Sequence, residues 1–402
     1  MLRKITALLF AAVCLTAAAG CKANNAANTA ADPADESGKT PVNPIAIKDE
    51  SGTRLGEIDD RAGFTAVNEG IFYSVVTMKE NSYTSTAEYR FFSLKDKKDI
   101  YLGKLEDQGY EAGFARTELN GMIYTLAVKG NPAGDAAVPL LLLAFDTAGK
   151  TMKTYTVSEY GFPYAAMTAS GGKLLIMNHE TSKDKSDKIY EFDPDSGKIK
   201  EVLSFSSSAD SLRSVCAADN GFYLLRLKLN NGGENELFVD RYDENYNKTS
   251  EQSVNDILVN AISDIHGISG RQDALNEIGM NVSRFFVTDD GYMIYENFGL
   301  SRVIVGLRTE ETIIAKDDNY AVSTGSGMPV IYKIDFDADN VSDPEIYGIK
   351  NGKLKLLAFT PDDGHKLVQT VTVSADGTAA ILTSDAFPVQ SGTGVVNILT
   401  LQ

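Results

Sequence analysis

Short β-rich runs entered through a glycine-containing turn return along the whole chain. They are "NEGIFYSVVTM" from Asn68, "NGMIYTLAV" from Asn120, "GGKLLIMNH" from Gly171, "NGFYLLRLKL" from Asn220, "DGYMIYENF" from Asp290 and "DGTAAILTS" from Asp376. The first four turn glycines, Gly70, Gly121, Gly172 and Gly221, stand 51, 51 and 49 residues apart. A steady period of this length constrains the fold more than any other feature, because one such unit cannot bury its apolar face alone and must stack on its own repeats. Inside the units a second apolar run leads into a tight polar turn and a further strand, as in "LLLLAFDTAGKTMKTYTV", "DKIYEFDPDSGKIKEVLSF" and "ELFVDRYDENYNKTSEQSV". Apolar strands joined by Asp, Gly and Asn turns read as antiparallel meanders.

Four strands in every ~40 to 50 residues, repeated round a ring, is how a β-propeller disposes of exposed sheet edges. The chain is therefore expected to be all-β, a propeller of seven four-stranded blades at about 64–105, 112–157, 164–205, 212–253, 284–317, 319–360 and 369–402. In rhythm it resembles WD40, kelch and quinoprotein-type repeats. The resemblance is architectural, since their diagnostic residues are missing and the chain has no Trp. The seventh unit is one strand short, and "NPIAIKDE" near the other end is expected to complete it by pairing the termini.

One segment breaks the β rhythm. In "SVNDILVNAISDIHGI" the residues Val254, Ile257, Leu258, Ala261, Ile262 and Ile265 recur at helical spacing, with Ser253 as the expected cap and Gly267 as the stop. "RQDALNEIG" reads as a second short helix. The insertion, about residues 253–279, either builds a binding surface on one face or fills a gap between blades.

The N-terminus bears on location. Arg3 and Lys4 precede "ITALLFAAVCLTAAAG", an apolar stretch too short for a stable bilayer span, and the next residue is Cys21. Ala18-Ala19-Gly20-Cys21 resembles the lipobox of bacterial lipoproteins, departing from it in having Ala18 where the family has Leu. That resemblance implies acylation of Cys21 and a lipid-anchored, extracytoplasmic protein; an ordinary secretory signal cleaved at the same alanines is the alternative. The expected organisation is a signal peptide over 1–20, a tether over 21–44 and a propeller over 45–402. The tether, "KANNAANTAADPADESGKTPVNP" from Lys22, is too polar and small to offset the entropy of ordering it. With Cys14 in the signal and Cys21 carrying lipid, Cys216 has no intramolecular partner and reads as a small core residue.

The formal charge is −17, and removal of the signal would take away two positive groups. Phosphate binding needs clustered Lys and Arg, and none is present, so nucleic acid is not an expected partner.

"IDFDADNVSDPEIYG" places Asp335, Asp337 and Asp339 at alternate positions, the Val341 carbonyl at the seventh and Asp343 at the ninth. Alternate oxygens in a tight loop suit Ca²⁺, which takes six to eight of them at ~2.3 to 2.6 Å. The stretch resembles the D-x-D-x-D-G-x-x-D loop of FG-GAP repeats in integrin-type propellers, with Asn340 standing where that family has Gly; Asn tolerates positive φ. The resemblance implies a structural calcium loop, and the alternative is a solvated acidic turn.

Other chemistry is sparse. His179, His266 and His365 fall in no zinc spacing. No nucleophile elbow, Walker loop or dinucleotide fingerprint is present. Three classes compete. The first is a non-catalytic binding or scaffold protein for a protein, peptide or glycan of the cell envelope. The second is an exported hydrolase or lyase acting on glycans, with carboxylates drawn from different blades. The third is a solute-binding lipoprotein of a transporter, which requires helices alternating with parallel strands.

Overall fold

The computed structural model describes residues 44–401, apart from 60–61, 79–83, 131–137, 162–164, 181–185, 207–209, 230–234, 267–269, 272–281, 298–301, 310–311, 315–319, 324, 326, 328, 334–344, 360–366 and 386–393. The chain opens with β1 (Pro44–Lys48) and β2 (Arg54–Asp59). Next come β3 (Ala62–Val67), β4 (Gly70–Met78), β5 (Ser85–Ser93), β6 (Lys98–Leu119), β7 (Met122–Lys129), β8 (Leu140–Asp146) and β9 (Thr151–Ser158). β10 (Ala166–Ser170), β11 (Lys173–His179), β12 (Ser186–Asp193) and β13 (Lys198–Ser206) follow. β14 (Asp210–Ala218), β15 (Gly221–Leu229), β16 (Asn235–Asp243) and β17 (Lys248–Ser253) lead into α1 (Asn255–His266). Beyond it lie β18 (Val282–Val287), β19 (Tyr292–Asn297), β20 (Arg302–Gly306) and β21 (Thr312–Ile314), then β22 (Tyr320–Val322), β23 (Ile331–Lys333), β24 (Glu345–Lys350) and β25 (Lys353–Phe359). β26 (Leu367–Val373), β27 (Thr378–Ser384) and β28 (Gly394–Thr400) end it.

Among the described residues the strands form six sheets, five of them ordered as simple meanders. The first holds β3 to β9, and sheets of four follow from β10–β13, β14–β17, β18–β21 and β22–β25. The terminal sheet runs β2-β1-β28-β27-β26. The seven-stranded first sheet is two meanders sharing β6, which pairs with β5 through Lys98–Gln108 and with β7 through Gln108–Leu119. The chain ends meet where Ala46, Ile47 and Lys48 pair in parallel with Val395, Val396 and Asn397. Antiparallel meanders are not the alternation of helix and parallel strand that the transporter class requires.

Apolar clusters fill each space between consecutive meanders. Phe72 and Tyr89 meet Phe145 across the two halves of the first sheet, with ring centroids 4.9 Å apart in each pair. Leu126 and Leu140 pack on Leu174 and Ile176, Leu175 and Ile189 on Phe222 and Leu224, and Leu225 and Leu237 on Met293 and Val305. Ile294 and Ile304 meet Val322 and Ile331, and Val330 and Ile346 meet Val371 and Ile381. A seventh cluster joins the terminal sheet to the first, through Ile47, Ala380 and Val396 against Ile71 and Tyr73. The Ala66 N–H donates to Thr372 Oγ1 at 2.7 Å across that last junction.

Strand composition follows from this packing. Leu140–Asp146 lies between two covered faces and is buried along nearly its whole length, so it reads as an unbroken apolar run. The last strand of a meander is an edge, and Lys248–Ser253, "KTSEQS", is exposed and polar there, which discourages pairing with another chain. Short first connections such as 120–121 close type I′-like turns, with Asn120 at φ 52° and Gly121 at 74°. These turns share one edge of the stack; the Ser170 hydroxyl donates to the Gly221 carbonyl at 2.6 Å, linking neighbouring turns. The far ends of β11 and β15, and α1, lie at the opposite edge.

The helix begins later than the spacing suggests. Ser253 is the last residue of β17, opposite Phe238, and does not cap; the Leu258 N–H bonds the Val254 carbonyl. Asn255 turns its side chain back to the sheet, and its Oδ1 accepts from the Leu237 N–H at 2.7 Å. Val254, Ile257, Leu258, Val259 and Ala261 are buried in the cluster between the third and fourth sheets. This face of α1 packs into the core; "RQDALNEIG" lies almost wholly outside the described residues.

Candidate functional site

The expected calcium ligands Asp335, Asp337, Asp339, Val341 and Asp343, and the expected lipidation residue Cys21, lie outside the described residues. Among the described residues no group of three or more His, Cys, Asp and Glu is placed to hold a metal ion. Cys216 is 5% exposed within the core, and burial pushes its thiol up to about 12, so it is an inert packing residue.

An open cleft of about 320 Å³ lies at the turn edge, between the third and fourth sheets. Strand alternation builds it. Leu237, Val239 and Arg241 share one face of β16; the first two fill the core and Arg241, nearest the edge, enters the cleft. Arg308 stands on the opposite wall, just beyond β20, and is exposed. The Arg241 guanidinium lies 5.8 Å from the Tyr223 ring centroid and donates to the Asp219 carbonyl at 3.1 Å, which fixes its direction.

The walls are braced. Gln252 Nε2 donates to the Leu307 carbonyl at 2.6 Å, bridging the two sheets. Asp290 is held by the Thr288 hydroxyl at 2.6 Å and the Asn351 N–H at 3.0 Å, so it serves the adjoining turn. Asp219 and Asp289 are exposed at the two turns. Among the described residues neither Arg241 nor Arg308 pairs with a carboxylate, in a chain whose 55 acidic residues outnumber 38 Lys and Arg.

A second polar set sits at the opposite edge. His179 Nδ1 and Asp187 Oδ1 are 2.8 Å apart, and Asp187 Oδ2 accepts from the Leu212 N–H at 2.7 Å. Asp187 is 2% exposed and holds the ring in one orientation. Burial pulls Arg213 down while nearby Asp187 pulls it up, and its Nε has no hydrogen-bond partner among the described residues. Spacing alone does not reveal this set, because Arg213 belongs to the next meander. The same reason hides Arg241 and Arg308, which only alignment of whole repeats would place at one edge.

No known family's sequence profile matches the chain, and no curated protein matches it. In chain path it is similar to the β-propeller domain of the Trilobed protease from Pyrococcus furiosus, with TM-score 0.46 and 12% identity over 85% of this chain and 95% of that one. An oligogalacturonate lyase in complex with manganese gives 0.48 and 12% over 90% and 97%. A Pyrococcus horikoshii acylaminoacyl peptidase gives 0.46 and 9%; there 84% of this chain spans 50% of the other's length. No site residue is carried over from any of them.

Proposed function

We propose that the chain is a lipid-anchored, extracytoplasmic β-propeller of seven blades that binds a component of the cell envelope without transforming it. The seven interfaces, the last of them returning to the first sheet, support the ring and the blade count. Anchorage rests on Arg3, Lys4 and the "AAAGC" stretch, and the calcium loop on the spacing of Asp335, Asp337, Asp339 and Asp343. The observation that carries the binding role is the turn-edge cleft lined by Arg241 and Arg308, neither of which pairs with a carboxylate among the described residues. Immobilised residues 45–402 should retain a discrete component from solubilised envelope, and the doubly substituted Arg241→Ala, Arg308→Ala protein should not. Equal recovery on both would remove the cleft from the role, and no recovery on either would remove the role.

The His179–Asp187 pair favours a second reading, an exported hydrolase or lyase acting on glycans, because a buried carboxylate orienting an imidazole equips it for proton transfer. Its test is turnover of envelope glycans by the intact protein and loss of that turnover in His179→Ala. Turnover that survives the substitution would discard this pair.

A further inference from the structure

Resting on the binding role of the turn-edge cleft, we propose that its ligand is a small zwitterion, a free α-amino acid or dipeptide, with its carboxylate on Arg241 and Arg308 and its ammonium toward Asp219 and Asp289. The charge arrangement selects this class. A simple anion would meet two guanidiniums but also the carboxylates of Asp219, Asp289 and Asp290 on a molecule of net charge −17, so it gains little from approach. A simple cation meets the reverse conflict at the arginines. A ligand with both charges a few bonds apart satisfies both ends and brings no net charge.

Local contacts support the assignment. The charged groups of the cleft are not paired in contact, because neither Arg241 nor Arg308 makes an ion pair with Asp219 or Asp289 among the described residues. Arg241 is held in place by the Asp219 carbonyl and the face of Tyr223, so its guanidinium is oriented before a ligand arrives. Asp290 is occupied with Thr288 and Asn351, which leaves Asp219 and Asp289 as the acids for an ammonium group. The volume, about 320 Å³, is at the lower limit of small-molecule pockets and admits a ligand of amino-acid or dipeptide size.

The experiment is calorimetric titration of the full mature chain with each proteinogenic amino acid and with Ala-Ala, using acetate and methylammonium as single-charge probes. At least one zwitterion should bind while neither single-charge probe does. Its affinity should fall roughly tenfold or more in Arg308→Ala and in Asp289→Asn, since each removes one charge-assisted contact. Both side chains are exposed, so both variants should keep the wild-type circular dichroism and melting midpoint. Absence of zwitterion binding, equal binding of acetate, or affinity unchanged in both variants overturns the assignment. Envelope capture that depends on Arg241 and Arg308 while no zwitterion binds would leave the binding role standing and discard only the ligand class.

Discussion

Arg226 ties together a buried cluster of charge. It is 3% exposed and meets Asp210, Asp240 and Glu251 at once. Asp240 is fully buried with Arg226 Nη2 2.6 Å from its Oδ2, yet neither of its oxygens has a hydrogen bond of good geometry among the described residues. Burial raises its pKa, against the pull of Arg226 and Lys248. Arg226→Ala would strand that carboxylate and should cost about 3–5 kcal/mol in a urea denaturation. Adding Asp240→Leu should recover part of the loss, and a double variant no more stable than the single one would refute the pairing. Glu251 titrates in the opposite sense, for hydrogen bonds from Lys228 and Lys248 hold its carboxyl down at about 2. A depressed carboxyl stabilises the fold above its unfolded value near 4.5, and that share is lost as pH falls toward 2. Asp240, being raised, becomes less unfavourable as acid protonates it. Glu251→Gln should therefore flatten the decline of the melting midpoint through this window, whereas Asp240→Asn should remove a gain in stability that appears at higher pH and is complete once pH has fallen to the unfolded value of 3.8. Single-residue chemistry was legible only where it was local. Cys216, between Val215 and Ala217, reads as core from its neighbours, whereas Arg226 looks like an ordinary strand-exposed cation until its partners on three other strands are known.

Elements were legible because turn residues and apolar alternation act within a few positions. Asn120-Gly121 adopts the paired positive φ its sequence suggests. Gly221 has another reason to be glycine: a Cβ there would lie 2.0 Å from the Tyr242 carbonyl oxygen on the third strand. The helix was legible from periodicity, but its start was not, since Ser253 is taken by β17. Nor could periodicity tell a helix that faces a partner from one that faces the core. The burial of Leu258 at 0% decides this, and Leu258→Ala should lower stability by about 2–5 kcal/mol. Thermal unfolding checks it; a loss no larger than that of a surface substitution would mean that α1 is dispensable to the body.

At the scale of the molecule, the repeat period carried the stacking of meanders, and the short seventh unit carried the meeting of the chain ends. What it could not carry was β6 running unbroken through two meanders, or the parallel sense of β1 against β28, because neither leaves a local mark. Two expectations belong to the whole protein. Cys21→Ala should release it from the membrane fraction or leave uncleaved precursor, and unchanged membrane retention with unchanged lipid labelling would refute lipidation. At millimolar calcium, a site with Kd on the order of 10⁻⁴ M adds roughly 1 to 2 kcal/mol. Chelation should thus lower the melting midpoint, and Asp337→Ala with Asp339→Ala should abolish that dependence. An unshifted midpoint together with no calcium uptake in titration would reduce the loop to an acidic turn.

The parallel pairing of β1 with β28 also imposes a schedule. Pro44 is synthesised 350 residues ahead of Gly394, the first residue of its partner strand. At roughly 5–20 residues per second, the opening strand spends on the order of tens of seconds without its neighbour. During that interval Ile45 and Ile47, later among the most buried side chains, have no finished sheet to enter. A chain halted anywhere before the last strand should keep this apolar edge unpaired, an expectation that limited proteolysis of a chain ending before Gly394 checks.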